Sequence, residues 1–317
     1  MSGMLKLKLT MAKRWISILT GKTAVALPQG KGRIYSLAEV KGFYNDLTLK
    51  VGDSTDTDES GIPMSLLGGG KYVYFPIAIF QYGLANYDLW LLNKDKKAKI
   101  IFKSIVKWAL KNQRIDGSWD CFGPIESKKY SVSAMGQGEG AALLLREYVE
   151  THDEQYLSAA RKAIDFMLIP IDEGGTSFYM PDGTIVLEEY AHVERSTVLN
   201  GWIFAFFGLY DFCKITAEAE YIEKRDKTIQ AMCNLLPKYD MGFWSKYDLT
   251  GKIASPAYQT LHVALLSVMS EITGEGIFDE YSKRWDGYAN SKLKRYRAIL
   301  SKVLQKVFEK TDAVVIK

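Results

Sequence analysis

Residues 133–168 read SAMGQGEGAALLLREYVETHDEQYLSAARKAIDFML, and this stretch decides the fold. Its first half is apolar on nearly every side, whereas the half that begins at Asp153 is amphipathic, with a charged face. A helix that is apolar all round is buried, and a helix with one charged face lies at the surface. The stretch therefore predicts an inner helix that is followed directly by an outer helix.

The same order recurs in three further stretches, at a spacing of about 60 residues. These are FPIAIFQYGLANYDLWLLNKDKKAKIIFKSIVKWALKN (75–112), TVLNGWIFAFFGLYDFCKITAEAEYIEKRDKTIQAMCNLL (197–236) and YQTLHVALLSVMSEITGEGIFDEYSKRWDGYAN (258–290). Repeated pairs of inner and outer helices predict a mainly α protein that forms an α/α barrel, or toroid. We expect this barrel to span residues 66–310.

The region before the barrel, residues 1–65, has a different pattern. RIYSL and FYNDLTLKVG read as short strands, and DSTDTDESGIP reads as a polar loop. We therefore expect a small β-containing N-terminal region beside the helical domain.

Three segments connect the helix pairs: residues 117–130, 176–196 and 242–258. They carry aromatic and β-branched residues around turns, such as Pro181-Asp182-Gly183 and Thr250-Gly251. Such patterns predict hairpins or short strands. Because each segment leads into the start of an inner helix, we expect all three to meet at one mouth of the barrel, where a cleft can form.

Composition excludes several classes of function. The net charge of +4 and the pI near 8.6 are too mild for a dedicated nucleic-acid binder. The three cysteines and three histidines lack the spacing of a zinc site or a disulfide framework. No signal peptide or membrane span is evident, which predicts a cytoplasmic protein, while the basic, amphipathic first twenty residues leave peripheral membrane contact open.

A run of cations lies near the C-terminus. A solvated helix face is the commoner explanation, and attraction of a polyanion such as an acidic polysaccharide is the other. The run comprises Lys283, Arg284, Lys292, Lys294, Arg295, Arg297, Lys302 and Lys306.

The tripeptide Glu188-Glu189-Tyr190 ends an otherwise apolar strand, TIVL. If the strand stays regular, Glu188 and Tyr190 face one way and Glu189 faces the other. An exposed strand end is an equally good explanation from this motif alone. His262 shares a helix face with Tyr258, so it is either a satisfied core histidine or a residue that points into the barrel.

Five stretches resemble, in order and spacing, the heparosan glucuronyl C5-epimerase family. The resemblance covers roughly residues 60–288 and implies an α/α-barrel catalytic domain that converts glucuronate to iduronate in a heparosan-like chain. The stretches are GIPMSLLGGGKYVYFPIAIFQYGLANY (61–87), SAMGQGEGAALLLREY (133–148), LEEYAHVERSTVLNGWIFAFFGLYDF (187–212), LLPKYDMGFWSKYDL (235–249) and AYQTLHVALLSVMSEITGEGIFDEYSKRWDGY (257–288).

The resemblance also implies site residues. The E-E-Y, Y-D-L and Y-H-x-x-H motifs imply four catalytic residues: Glu189, Tyr190, Tyr247 and Tyr258. The A-M-x-Q-G and V-L-N-G motifs imply that Gln137 lines the substrate, that Arg146 follows on the same helix and that Asn200 lies near the barrel mouth. The candidate substrate-binding residues are Gln137, Arg146, Glu188, Asn200, Gln259 and His262.

The chain departs from the family pattern at three places. Gln259 replaces the first His of Y-H-x-x-H, Ser255 replaces an Arg, and Val132-Ser133 replaces a Trp-Tyr pair. The loss of a cation and of aromatic side chains favours a less sulfated or different uronate polymer over the N-sulfated heparan precursor.

Removal of the C5 proton of a uronate gives an enolate-like dianion. The reaction needs donors or cations for the carboxylate, a base on one face of the ring and an acid on the other. The hypothesis is that Glu189 takes the proton from one face while Tyr258 or Tyr247 serves the other, and that Tyr190 holds the carboxylate or takes part in transfer. Glu188 stays an alternative to Glu189. No redox cofactor is implied, because the reaction transfers no net electrons. No metal is required either.

Two other classes of function stay open. One is a uronate-specific lyase or hydrolase on the same barrel, for which Asp120 and Glu189 are the carboxyl pair. The other is a non-catalytic protein that binds an acidic polysaccharide. The family's eukaryotic members act as dimers, so the resemblance also implies a homodimer.

Overall fold

A computed structural model describes residues 27–52, 55–127 and 129–308. The described chain contains nine α-helices. Four are inner helices: α1 (Pro76–Asn93), α3 (Ala134–Thr151), α5 (Leu199–Thr216) and α7 (Pro256–Thr273). Four are outer helices, α2 (Lys96–Asn112), α4 (Glu154–Leu168), α6 (Ala219–Leu235) and α8 (Gly276–Asn290), and α9 (Lys292–Phe308) follows them.

The helix pairs form the expected α/α barrel. The inner helices α1, α3 and α5 are buried along most of their length, whereas α7 is buried on one face, and the outer helices pack one face against the inner ones. The same turn joins the two helices of every pair, because each inner helix ends at a residue with left-handed backbone. These residues are Lys94, His152, Ala217 and Gly274. The pattern of apolar and charged residues therefore predicted both the elements and their layers.

Helices α3 and α5 approach each other closely at the centre of the barrel. A Cβ atom at Gly138 would lie 2.5 Å from the Cα of Ala205, and one at Gly208 would lie 2.2 Å from the Gly138 carbonyl oxygen. Real side chains do not tolerate such distances. Glycine at these two positions therefore permits direct backbone packing, which explains part of the glycine-rich stretch at 136–140.

The N-terminal region differs from the prediction in its details. RIYSL and FYNDLTLKVG do not form strands. The second stretch contains a 3₁₀ turn at Thr48–Lys50, and its Asn45 forms an isolated bridge with Lys31. The Asp46 side chain accepts from the Thr48 backbone and hydroxyl groups, and these local bonds favour a turn over a strand. The basic first twenty residues lie outside the described part of the chain, and the domain boundary at residue 65 stays a prediction.

Two short antiparallel hairpins accompany the helices. Strands β1 (Ser65–Leu66) and β2 (Tyr72–Val73) precede α1, and strands β3 (Ser177–Tyr179) and β4 (Ile185–Leu187) lie between α4 and α5. The Pro181-Asp182-Gly183 turn joins β3 to β4, as predicted, and the Asp182 carboxylate accepts from the Thr184 backbone and hydroxyl groups.

The three connecting segments meet where the inner helices begin, an end of the barrel that we call the mouth. The Tyr130 ring, from 117–130, lies 5.1 Å from the Tyr190 ring of 176–196. The Leu199 N–H, at the start of α5, donates to the Tyr247 carbonyl of 242–258. This arrangement confirms the predicted convergence. Across the described helices, none combines the length and the apolar character that a membrane crossing requires.

Candidate active site

Glu189, Tyr190, Tyr247 and Tyr258 lie together at the mouth, and we call them the carboxyl-tyrosine cluster. Glu189 and Tyr190 follow the end of β4, Tyr247 lies in the hairpin before α7, and Tyr258 lies in the first turn of α7. The rings of Tyr247 and Tyr258 are 4.8 Å apart. The Tyr190 hydroxyl is a hydrogen-bond partner of both the Glu189 carboxylate and the Tyr247 hydroxyl. The structure thus brings together residues from two segments, 176–196 and 242–258, that are separated along the chain by helices α5 and α6.

Glu189 is enclosed but incompletely bonded. Its residue is 7% exposed, and its Oε2 atom has no hydrogen-bond partner in the described part of the chain. The side chain packs on α5 at Gly201, where an added Cβ would lie 2.2 Å from Oε2. Burial raises the pKa of Glu189 to about 7, with smaller contributions from the charges of Glu188 and Asp248. The carboxylate can therefore both accept and release a proton near neutral pH.

The three tyrosines are held in their protonated form. The negative charge of Glu189, followed by burial, raises the pKa of Tyr190 well above 10. Burial and the same charge raise the pKa of Tyr247, and they raise that of Tyr258 to about 12. Tyr258 is 37% exposed, so it is the tyrosine of the cluster that a substrate can reach from solvent.

Glu188 has a different environment from its neighbour. Its two carboxylate oxygens accept from the Thr197 backbone N–H at 2.8 Å and from the Thr197 hydroxyl at 2.5 Å. Thr197 has a positive φ of 47°, and these bonds hold that strained backbone just before α5. The Glu188 carbonyl also accepts from the Ala134 N–H at the start of α3. Glu188 therefore organises the mouth, and Glu189 is the carboxylate with a free oxygen.

An aromatic wall adjoins the cluster. The Phe122 ring stacks on the Tyr190 ring at 5.2 Å, and Tyr130 contacts both Tyr190 and His192. Sequence reasoning did not single out Phe122 or Tyr130, because isolated aromatics in a loop carry no signal of what they contact. Flat aromatic faces of this kind suit the apolar face of a sugar ring.

A second buried carboxyl group, Glu139, was also missed. It lies on the barrel side of α3, because Gln137, about half a turn away on the helix, faces the outer helix α4. The Gln81 amide donates to its Oε1 atom, while its Oε2 atom has no partner among the described residues. Burial, with the nearby Glu189 charge, raises the pKa of Glu139 to about 8. A charged residue between two glycines of an inner helix was the available signal.

Lys50, the last residue of the 3₁₀ turn Thr48–Lys50, lies within electrostatic reach of Glu139. Burial lowers the pKa of the Lys50 ammonium, and the charge of Glu139 opposes that shift. Glu139 therefore lies within electrostatic reach of both Lys50 and the carboxyl-tyrosine cluster. The interior of the barrel is polar along this line, although most of its wall is apolar.

Asn200 lies in the first turn of α5, near the mouth, as the resemblance implied. It is 4% exposed, and its Oδ1 atom has no partner in the described chain. The next residue, Gly201, is the one on which Glu189 packs. Asn200 is thus a polar group beside the cluster that is available to a ligand.

Gln137 is the first correction to the predicted site. Its side chain is fully buried, its amide donates to the Gly117 and Ala163 carbonyls, and its Oε1 atom accepts from the Trp119 N–H. These bonds tie α3 to α4 and to the 117–119 loop. The prediction that Gln137 lines the substrate is wrong, because the side chain faces away from the barrel interior.

Gln259 and His262 also belong to the scaffold. The Gln259 Oε1 atom accepts from the backbone and hydroxyl of Ser245, and its amide donates to the Trp285 carbonyl. The His262 Nδ1 atom lies 2.9 Å from the Ser245 hydroxyl, and burial lowers the pKa of His262 to about 3. His262 is therefore neutral and buried, and its Nε2 atom has no partner among the described residues, whereas Gln259 is satisfied by the scaffold and is not placed to bind substrate.

Arg146 lies at the opposite end of the barrel. By the helix rise it is about 18 Å from the start of α3. Its guanidinium pairs with Asp211 at 2.8 Å and donates to the Gly42 carbonyl, while the Tyr44 hydroxyl donates to the same Asp211. This buried network attaches the N-terminal region to α3 and α5. Arg146 is too distant from Glu189 to bind the same sugar.

The departures from the family pattern have structural roles here. The Ser255 hydroxyl accepts from the Tyr258 N–H and caps α7, and the Ser133 hydroxyl caps α3. Both serines occupy the N-cap position that their residue type prefers. The helices that carry Tyr258 and Glu139 therefore begin at fixed residues.

Asp120 does not face Glu189 across an open site. Its carboxylate accepts from the Gly123 N–H and the Ser131 hydroxyl, and it pairs with Arg114. A separate surface cleft of about 460 Å³ includes Arg225, Cys233 and Glu275 in its lining, and none of its lining residues belongs to the cluster. Within the described residues, no group of three or more potential ligands is arranged for a metal ion.

Similar proteins are known for both sequence and structure. The family model described as the D-glucuronyl C5-epimerase C-terminus matches residues 117–287. The D-glucuronyl C5-epimerase of Caenorhabditis elegans is 31% identical over 224 residues, which cover 60% of this chain and 35% of that protein. An uncharacterized protein of Methanocaldococcus jannaschii is 32% identical over 141 residues, 44% of this chain and 46% of that protein.

Two solved structures are similar at low sequence identity. The unsaturated glucuronyl hydrolase of Bacillus sp. GL1 has a TM-score of 0.42 and 16% identity, covering 70% of this chain and 60% of that one. The cellobiose 2-epimerase of Spirochaeta thermophila has a TM-score of 0.45 and 10% identity, covering 72% and 59%. The chain spans less than half the length of the two curated relatives described above. Because the family model matches residues 117–287, more than half of the chain, the protein belongs to the D-glucuronyl C5-epimerase family.

Proposed function

We propose that this protein inverts C5 of D-glucuronate to give L-iduronate within an acidic, heparosan-like polysaccharide. One observation carries the proposal: Glu189 has a free carboxylate oxygen, a pKa near 7 and a tyrosine hydrogen-bond chain beside it. A base that is half ionised near neutral pH and adjacent proton donors are the groups that removal and return of a C5 proton require. The family membership supports the same chemistry.

In this proposal Glu189 is the base. The C5 proton would pass to the Glu189 carboxylate, whose Oε2 atom has no hydrogen-bond partner among the described residues, while the Tyr190 hydroxyl supports the carboxylate. Glu188 is a poor alternative, because the bonds from Thr197 occupy both of its oxygens and oppose the rise in its pKa that burial causes.

Tyr258 is the proposed acid on the opposite face of the ring. Its raised pKa keeps it protonated before substrate binds, and it is the most exposed member of the cluster. Tyr247 lies between Tyr258 and Tyr190, so it can pass a proton along the hydrogen-bond chain.

The enolate-like intermediate needs hydrogen-bond donors at the substrate carboxylate. The Asn200 side chain lies beside Gly201, on which Glu189 packs, and its amide N–H group would donate to the substrate carboxylate. We assign stabilisation of the substrate carboxylate to such a neutral donor. The serine at position 255 fits a polymer with few sulfates.

The test is incubation of the purified protein with heparosan in deuterated water, followed by NMR of the uronate. Deuterium at C5, new iduronate signals and an intact chain are expected. The Glu189→Gln variant should lose exchange, whereas Glu188→Gln should retain it in the fraction that folds. An inactive Glu188→Gln beside an active Glu189→Gln would overturn the assignment of the base.

The same experiment separates the other functions. A lyase shares the C5 proton abstraction and then expels the C4 substituent, so it would release unsaturated, ultraviolet-absorbing ends. A hydrolase would release reducing ends without exchange at C5. Binding of heparosan without exchange or cleavage would show a non-catalytic polysaccharide-binding protein.

A further inference from the structure

The last described helix, α9, has an unusual composition for a helix at the edge of a barrel. Its sequence, KLKRYRAILSKVLQKVF, contains six lysines and arginines and no acidic residue. It begins two residues after the end of α8 and lies beyond the family match at 117–287. The helix is therefore an addition to the part of the chain that accounts for the proposed chemistry.

The helix packs with its apolar face outward. The residue that faces the protein most closely is Ala298, which is 1% exposed. Lys302, on the same side, donates to the Ile253 carbonyl, and Gln305 accepts from the Ile253 N–H. Small and polar groups thus make the contacts with the barrel, whereas an ordinary surface helix uses apolar groups for them.

The opposite face is an exposed apolar stripe. Its side chains recur at the three- and four-residue spacing of one helix face and extend over about 16 Å. They are Leu293, Tyr296, Leu300, Val303 and Leu304, which are 84%, 72%, 62%, 42% and 52% exposed. Five large, exposed apolar side chains aligned on one helix face mark an interaction surface.

Cations border the stripe on both sides. At about 100° per residue, Lys292 and Arg295 lie on one flank and Arg297 lies on the other. All three side chains are exposed and place positive charge next to the apolar stripe, and the Arg297 guanidinium also lies over the Phe243 ring. An apolar face with lysine and arginine at its edges is the pattern of a helix that lies in the plane of a membrane interface.

We propose that α9 binds the surface of an anionic lipid bilayer through this stripe and its flanking cations. The apolar side chains would enter the region between headgroups and acyl chains, and the cations would pair with anionic headgroups. A second copy of the chain is a poorer occupant, since pairing two stripes would bring two acid-free, basic helices together. The basic N-terminal residues of the same chain are also a poorer occupant of the stripe, because they carry the same positive charge as α9.

The proposed surface lies near the candidate active site. Both Lys302 and Gln305 contact Ile253, which pairs with Lys246 in the hairpin that carries Tyr247. A bilayer bound at α9 would therefore lie on the side of the molecule where this hairpin projects. Membrane binding would hold the mouth near lipid, which suits a polysaccharide that is assembled at a membrane surface.

The test is sedimentation of the full chain with vesicles of phosphatidylglycerol and phosphatidylcholine, and with vesicles of phosphatidylcholine alone. Binding to the anionic vesicles that weakens with salt is expected. Leu300→Glu and Leu304→Glu should each lower the partition coefficient about tenfold or more, since each removes a leucine side chain that would be buried in the bilayer. Leu37→Glu is the matched control, because Leu37 is 54% exposed on another surface and should leave binding unchanged.

Three outcomes would overturn the proposal. One is absence of binding to anionic vesicles by the unsubstituted protein. Another is unchanged binding by Leu300→Glu, which would assign membrane contact to another part of the chain. The third is a dimer in sedimentation velocity that Leu300→Glu dissociates, which would make the stripe an interface between copies. Circular dichroism of each variant, with the helix content of the unsubstituted protein, shows that loss of binding is not loss of folding.

Discussion

Replacing Glu189 with Gln is the sharpest test of the proposed chemistry. The substitution keeps the size of the side chain and removes its ability to accept a proton. General-base catalysis typically contributes about 10² to 10⁴ in rate, or about 3–5 kcal/mol of barrier. We expect C5 deuterium exchange to fall by that factor, while the packing of Gly201 against the side chain is kept.

The pH dependence of C5 exchange by the unsubstituted protein tests the pKa of Glu189. Burial raises its pKa from 4.5 to about 7, so the base is protonated, and inactive, below that pH. The value of kcat/KM for C5 exchange should rise with pH through a midpoint near 7. One unit below that midpoint, about one tenth of the maximal rate should remain. A solvent-exposed glutamate would instead give a midpoint near its ordinary value.

Glu139→Gln is the matched control for this experiment. It is the same chemical change at a second buried carboxyl group, whose pKa is about 8. Because Glu139 is still protonated at the pH where Glu189 ionises, the variant should keep the midpoint near 7. Exchange by Glu189→Gln at the rate of the unsubstituted protein, with loss of exchange in Glu139→Gln, would refute the assignment of Glu189 as the base.

Three further substitutions test separate parts of the structure. Tyr258→Phe should keep C5 exchange through Glu189 but lower iduronate formation about 10²-fold, because the proton donor on the second face is lost. The ratio of the C5-deuterium signal to the iduronate signal in NMR measures this difference, and equal loss of both signals would contradict this role. Gly201→Ala should displace Glu189, because the new Cβ would lie 2.2 Å from its Oε2 atom, and should lower kcat without removing the fold; full activity would show that the carboxylate is not fixed there. Arg146→Met should lower the free energy of unfolding in urea by about 3–5 kcal/mol, since it leaves Asp211 buried without its partner, yet leave the pH midpoint of the folded fraction unchanged. A shifted midpoint would place Arg146 in the site after all.

The sequence by itself determined the helical architecture. Apolar residues around every side of four segments, and on one face of the segments that follow, report burial directly. That information is local, so the elements, their order and the inner and outer layers could be read without coordinates. The convergence of the three connecting segments followed from the same pattern, because each precedes an inner helix. The strands predicted in RIYSL and FYNDLTLKVG do not form. In the second stretch, the Asp46 carboxylate accepts from the Thr48 backbone and hydroxyl groups, and these bonds favour a turn.

The sequence also indicated the region of the candidate site but not the role of each residue. Periodicity predicts that Gln137, Gln259 and His262 are on buried helix faces, and it does not say which neighbour they meet. Their hydrogen bonds go to Gly117, Ser245 and Trp285, which are remote in sequence and are set by the tertiary structure. A buried polar residue is satisfied by the scaffold or available to a ligand according to those partners alone.

The choice between Glu188 and Glu189 shows the same limit most clearly. The two carboxylates are adjacent in sequence and follow one strand, so no local pattern separates them. The tertiary structure places Thr197 against Glu188 and places Gly201 and the tyrosines against Glu189. Only the fold decides which carboxyl group keeps a free oxygen and a pKa near neutrality, because both properties depend on what the rest of the chain brings to within a few ångströms.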